Sequence, residues 1–209
     1  MVRGKFIVIY GMNNLGKTTA AKALVADFRR RGIPGHYLKY AICDLEPTRP
    51  RINNYLRGGN PERLTPLQFQ ELQAQNRRDF EPQLQEWLES GDWVVAEDYT
   101  GTGITWGTVA GIPVETLEEM NRGLLQPDLE FLMEGERFST GIEANHAHEG
   151  SEDLWQKARA CHLELARRYG WPIIRANQTR EGVLESIISL VEERTFFGVE
   201  GNPLCKKEK

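Results

Sequence analysis

The apolar run Phe6–Tyr10 (FIVIY) leads straight into Gly11-x-x-x-x-Gly16-Lys17-Thr18, and helical periodicity begins at Lys17. A β-branched and aromatic run that ends at glycine reads as a buried strand. Ala20, Ala23, Leu24 and Phe28 then share one helical face until Gly32 stops the pattern. Strand, glycine-bearing turn and helix in that order aim the backbone N–H groups of Met12 to Thr18 into a concavity at a helix N-terminus. Such a concavity binds phosphate. Lys17 offers a point charge to the β and γ oxygens of a nucleoside triphosphate, and the Thr18 hydroxyl suits Mg²⁺. The expected nucleotide-phosphate contacts are therefore Gly11, Met12, Asn13, Asn14, Leu15, Gly16, Lys17, Thr18 and Thr19. Every residue between the two glycines is neutral, so any further cation must come from elsewhere in the chain.

The remaining sequence alternates short apolar runs with longer helical patterns. His36–Ile42, Asp92–Asp98, Leu129–Glu134 and Pro172–Asn177 read as further strands, and helices are expected at Glu115–Leu125, Ser151–Tyr169 and Arg180–Glu193. A long helix opens at Thr65-Pro66-Leu67-Gln68, where Thr65 caps, Pro66 suits the first helical position and Gln68 completes a capping box. Pro82 lacks the amide hydrogen an interior turn needs, so it should break or kink that helix. The pattern predicts an α/β fold with a parallel five-stranded sheet and helices on both faces. A single domain is expected over residues 1–195, with a flexible tail over 196–209. The polar stretch Gly135–Ser151 reads as a lid loop.

The chain has 209 residues and a formal net charge of -4, with acidic and basic residues intermixed, which does not recommend a nucleic-acid surface. The apolar run near the start is far shorter than the roughly 20 residues of a membrane span. Cys43, Cys161 and Cys205 are far apart and lack metal spacing, as expected of a reduced, cytoplasmic protein.

From the phosphate loop to about Glu193 the chain resembles the thymidylate kinases, nucleoside-monophosphate kinases of the phosphate-loop class. Leu45–Leu56 (LEPTRPRINNYL) resembles their Arg-Glu-Pro segment and the helix after it. Gln75–Gly107 resembles the stretch from the base-binding arginine through the Asp-Arg-Tyr motif. Pro127–Arg137 is similar to the fourth strand and the start of the lid, and Ile173–Ile187 to the last strand and the adenine-side loop.

The resemblance implies in-line, Mg²⁺-assisted transfer from ATP to a deoxynucleoside monophosphate, dTMP to dTDP, by a homodimer. It implies that Arg77 donates to the base, that Trp106 packs under the deoxyribose, and that Asn177 belongs to the loop cradling adenine. Glu46, Arg57, Asp98 and Tyr99 fall in substrate-binding segments. Gln73 stands where an aromatic stacks on thymine, with Phe69 one turn earlier as its substitute.

Other departures touch the charges. Tyr10 replaces a glutamate, Asn13 an aspartate, and Asn14 occupies the position of a catalytic basic residue found in one family branch. Arg137 is then the expected lid cation, accompanied by His146 and His148. Glu97-Asp98-Tyr99 replaces Asp-Arg-Tyr and removes an arginine that grips the acceptor phosphate; Arg49, Arg51 or Arg57 are its expected replacements. Lys17, Arg137 and Glu97 are the expected catalytic residues, with Thr18 and Glu97 holding the metal. Two other readings stay open here: a deoxynucleoside kinase in which Glu97 takes the 5′-hydroxyl proton, and a nucleotide-binding protein with little turnover.

Overall fold

The computed structural model describes residues 2–138 and 151–195. Its elements in chain order are β1 (Phe6–Tyr10), α1 (Lys17–Arg30), β2 (Gly35–Lys39), α2 (Thr48–Arg57), α3 (Pro66–Glu89), β3 (Trp93–Glu97), α4 (Thr100–Val109), α5 (Val114–Met120), β4 (Leu129–Glu134), α6 (Glu152–Tyr169), β5 (Ile173–Arg175) and α7 (Arg180–Thr195). All strand pairings are parallel, in the order β2-β3-β1-β4-β5. This is the α/β architecture the sequence pattern predicts.

β1 sits at the centre and is buried along its whole length. Alternation sends Ile7 and Ile9 to a cluster with Leu24 and Phe28 of α1 and Ile187 and Val191 of α7. Phe6, Val8 and Tyr10 go to the opposite cluster, with Leu84 and Leu88 of α3, Ile104 of α4 and Leu165 of α6. Each such side chain contributes on the order of 1.5–3 kcal/mol on burial. The register pairs Ile9 with Glu97 and Glu97 with Lys39, so the C-terminal ends of β1, β2 and β3 come together at one rim. In parallel sheets that rim is where ligands bind.

Local chemistry explains most element boundaries. The capping box at Thr65 and Gln68 is formed, with the Thr65 amide donating to Gln68 Oε1 at 2.9 Å. The expected break at Pro82 does not occur, and α3 runs through it to Glu89. Leu84 and Leu88, beyond the proline, are fully buried and hold the second half in line against the lost hydrogen bond. β2 is shorter than expected, ending at Lys39, although the Tyr40 amide still donates to Glu97 O at 3.0 Å.

α4 was not anticipated from its sequence, TGTGITWGTV, which is poor in helix formers. Its glycines serve packing. A Cβ on Gly101 would lie 2.4 Å from Trp171, one on Gly103 2.9 Å from Arg77, and one on Gly107 2.5 Å from Leu117. The helix exists because its neighbours press against bare backbone.

Candidate active site

The phosphate loop takes its shape from glycine. Gly11 has φ 141°, and a Cβ there would meet Met133 O at 2.5 Å, so glycine is required at that position. Gly16 adopts a left-handed conformation and opens α1. Lys17 is only 5% exposed and folds back across the loop. Its ammonium donates to Gly11 O at 2.7 Å and Met12 O at 3.0 Å, and lies 3.6 Å from Asp98 Oδ1.

The two adjacent carboxylates point to different partners. Glu97, 1% exposed at the end of β3, accepts the Thr18 hydroxyl at 3.1 Å and the Tyr37 hydroxyl at 2.5 Å, with Lys39 Nζ at 3.6 Å. Burying a carboxylate this deep is costly unless hydrogen-bond donors meet it, as the two hydroxyls do here. Burial, followed by the hydrogen bond to Glu97, pushes the Tyr37 phenol well up, so it stays a donor. Asp98, with φ 59°, instead accepts the Thr102 hydroxyl at 3.1 Å and faces Lys17. The Thr18 hydroxyl and the Glu97 carboxylate are hard oxygen donors side by side, a set that fits Mg²⁺.

A cleft of about 850 Å³ opens over this rim. Residues 13 to 19 of the phosphate loop line its middle, with Glu97, Asp98 and Trp106. Because β2 and β5 are the two edges of the sheet, the cleft has two arms. The β5 arm is lined by Gln178, Thr179 and Arg180, the β2 arm by Lys39, Arg49, Arg57 and Gln73. Phe138 closes over the loop, its amide donating to Asn14 O at 3.0 Å and its ring 3.6 Å from where a Cβ on Gly16 would lie.

The family model described as "Thymidylate kinase" matches residues 9–187. The chain belongs to the thymidylate kinase family. A thymidylate kinase from Cupriavidus pinatubonensis is 29% identical over 206 residues, covering 90% of this chain and 99% of that one. One from Arabidopsis thaliana is 24% identical over 203 residues, covering 97% of this chain and 76% of its own. The solved structure of thymidylate kinase from Candida albicans superposes with a TM-score of 0.77 at 21% identity, covering 91% of this chain and 92% of that one, a likeness of fold. The chain is therefore a nucleoside-monophosphate kinase.

Within the thymidylate kinase frame, several expected contacts lie elsewhere. Arg77, expected at the base, is 2% exposed and turned into the protein, its Nη1 donating to Asn121 Oδ1 at 3.0 Å and its Nη2 to Tyr99 O at 2.9 Å. Burial lowers its pKa from the usual value. It ties α3 to the start of α4 and the end of α5. Tyr99 is buried as well, and its hydroxyl donates to Leu125 O at 3.1 Å. Phe69 does not reach for a base but stacks on Tyr55, with ring centroids 3.8 Å apart, in a cluster with Ile52 and Leu72. Glu46 is exposed beside the cis Glu46–Pro47 bond. Met12 is a core residue, and Gly11 contributes its carbonyl to Lys17.

Asn177 clips the chain leaving β4: it accepts the Glu136 amide at 2.5 Å and donates to Glu136 O at 3.0 Å. The three residues after it line the cleft in its place. Arg137 is half-buried at the root of the expected lid, and His146 and His148 lie outside the described residues. Arg51 pairs with Glu62 at 2.8 Å, away from the cleft. Tyr10 is fully buried, stacked on Trp171 and donating to Glu130 Oε1 at 2.7 Å, so its replacement of a glutamate adds a core contact.

Lys39, Tyr37, Thr102 and Arg180 were not singled out from the sequence. The available signal was positional, since Lys39 closes a strand at the ligand-binding rim and Arg180 opens a helix there.

Proposed function

We propose that this thymidylate kinase family member converts dTMP to dTDP with ATP as phosphoryl donor. One observation carries the reading: Lys17, Thr18, Glu97 and Asp98 converge in a single cleft whose two arms leave the phosphate loop on opposite sides. ATP would lie with its phosphates along the loop amides and its base toward Gln178–Arg180. Lys17 then exchanges the Gly11 and Met12 carbonyls for the β and γ oxygens, a short movement of a residue already in place. Thr18 and Glu97 would hold Mg²⁺, which when bound offsets charge on the phosphoryl oxygens. The acceptor enters from the β2 arm, so attacking and leaving oxygens stand in line across the transferring group. No side chain needs to react covalently, and position and charge supply the rate. Arg137, the neighbour of Phe138, would add the donor-side cation.

A coupled ADP-release assay over nucleosides and their 5′-monophosphates tests this reading. ADP released in proportion to dTMP supports it. Release with thymidine only, or with no acceptor tried, contradicts it. The family resemblance also supports a cytoplasmic homodimer. Sedimentation velocity showing a lone protomer at micromolar concentration would refute that assembly.

A further inference from the structure

We infer that Lys39 binds the phosphate of the acceptor nucleotide, an assignment that rests on the monophosphate-kinase reading above. The acceptor phosphate must come to rest close to Lys17 and therefore close to Glu97 and Asp98. Two carboxylates repel it, so a cation must stand on the β2 side of the pair. Lys39 is the register partner of Glu97 on the neighbouring strand and lines the cleft.

The hydrogen bonding of Glu97 does not depend on this lysine. Tyr37 donates to Oε1 at 2.5 Å and Thr18 to Oε2 at 3.1 Å, whereas Lys39 stands 3.6 Å from Oε2, beyond a direct hydrogen bond. Its side chain is 56% exposed, against 1% for Glu97, so the ammonium is anchored at one end by a buried charge and open to solvent at the other. A phosphate arriving in the cleft meets a cation already held at the rim and only loosely engaged.

The neighbouring arginines are more committed. Arg49 Nη1 donates to Ala41 O at 2.8 Å, and Arg57 Nη1 lies 3.3 Å from Asn53 Oδ1, on the outer wall of the same arm. Those two suit the far side of the acceptor, and Lys39 suits the phosphate next to the reacting centre. The lysine thus takes over the work of the arginine that Asp98 replaces, from a different strand.

The test is steady-state kinetics of Lys39→Met and Lys39→Arg beside the unaltered protein, with dTMP and ATP varied separately. Loss of one charge-assisted contact should raise KM for dTMP roughly 10-fold or more in Lys39→Met. KM for ATP, kcat at saturating dTMP and the melting temperature should stay close to those of the unaltered protein. Lys39→Arg should recover most of the loss. Unchanged KM for dTMP in Lys39→Met, or a change confined to ATP or Mg²⁺ dependence, overturns the assignment and makes Lys39 a counter-ion of Glu97 only. Failure of the unaltered protein to turn over any monophosphate overturns the proposed function and this assignment together.

Discussion

The phosphate loop in the middle of the cleft and the β2 arm beside it are built on different principles. At the phosphate loop, backbone does the recognising: Gly11 and Gly16 set the turn, Lys17 is pinned by two loop carbonyls, and Thr18 reaches Glu97 one strand away. On the β2 arm the contacts are side chains delivered by three separate elements, with Lys39 from β2, Arg49 and Arg57 from α2, and Gln73 from α3. A backbone site tolerates little change and looks alike wherever it occurs. A side-chain site is set by which residues the packing leaves facing the cleft, and here packing has turned Arg77 and Phe69 inward. The nucleotide-phosphate end is therefore generic, and the acceptor end is particular to this chain.

The sharpest way to break that contrast is at Lys17. Replacing it with methionine should lower turnover by about 10²–10³ while the fold, judged by circular dichroism, stays intact. Turnover within a few-fold of the unaltered protein would mean that the loop does not carry the reaction.

Arg77 comes next. As a buried link to Asn121 and Tyr99, its change to alanine should cost about 2–4 kcal/mol of stability, read as a denaturant midpoint, because it opens a cavity and strands two acceptors. Arg77→Met, which keeps most of the volume, should cost less. A raised KM for dTMP at unchanged stability would return Arg77 to the base and erase the contrast between the phosphate loop and the β2 arm.

His162 of α6, 2% exposed, probes the packing behind the loop. Burial, and after it the nearby Lys17 charge, lowers its pKa to about 4, while Asp98 acts in the opposite direction. The unfolded chain takes up a proton near the ordinary value of about 6.5, which the folded state refuses until far lower pH. Stability from this group is thus complete above pH ~6.5 and falls as pH drops toward 4. Between pH ~7 and pH ~5 the loss should be about 2 kcal/mol. His162→Phe should flatten that slope; an equally steep slope in the variant would assign it to other groups.

The smallest effects distinguish the two carboxylates. Glu97→Gln should slow transfer roughly 10-fold and weaken Mg²⁺ dependence, since it removes one charge-assisted contact. Asp98→Asn should change the rate less and tighten dTMP binding by removing a repulsion. The reverse ranking would move the metal role to Asp98.

How much of this was legible in the sequence follows the same division. Strand, loop and helix at Phe6–Arg30 are written in local chemistry, and so is the cap at Thr65. α4 was not, because Gly101, Gly103 and Gly107 are poor helix residues that only the pressure of Trp171, Arg77 and Leu117 makes sensible. The run through Pro82 was hidden for a similar reason, as Leu84 and Leu88 decide it from a distance. Residue positions were easiest to read where backbone geometry dictates them, as at Gly11 and Gly16. The structure directs Arg77 to Asn121 and Tyr99, Phe69 to Tyr55 and Asn177 to Glu136, contacts set by neighbours that local sequence does not reveal. Lys39 was missed because a lysine at a strand end is unremarkable until the register sets it opposite Glu97.

The most direct test of the central claim is to follow γ-labelled phosphate from ATP in the presence of dTMP and Mg²⁺ and identify the labelled product. Label is expected in the β-phosphate of dTDP, formed in step with ADP. Label appearing only as inorganic phosphate, or in dTMP when thymidine is supplied, would contradict it.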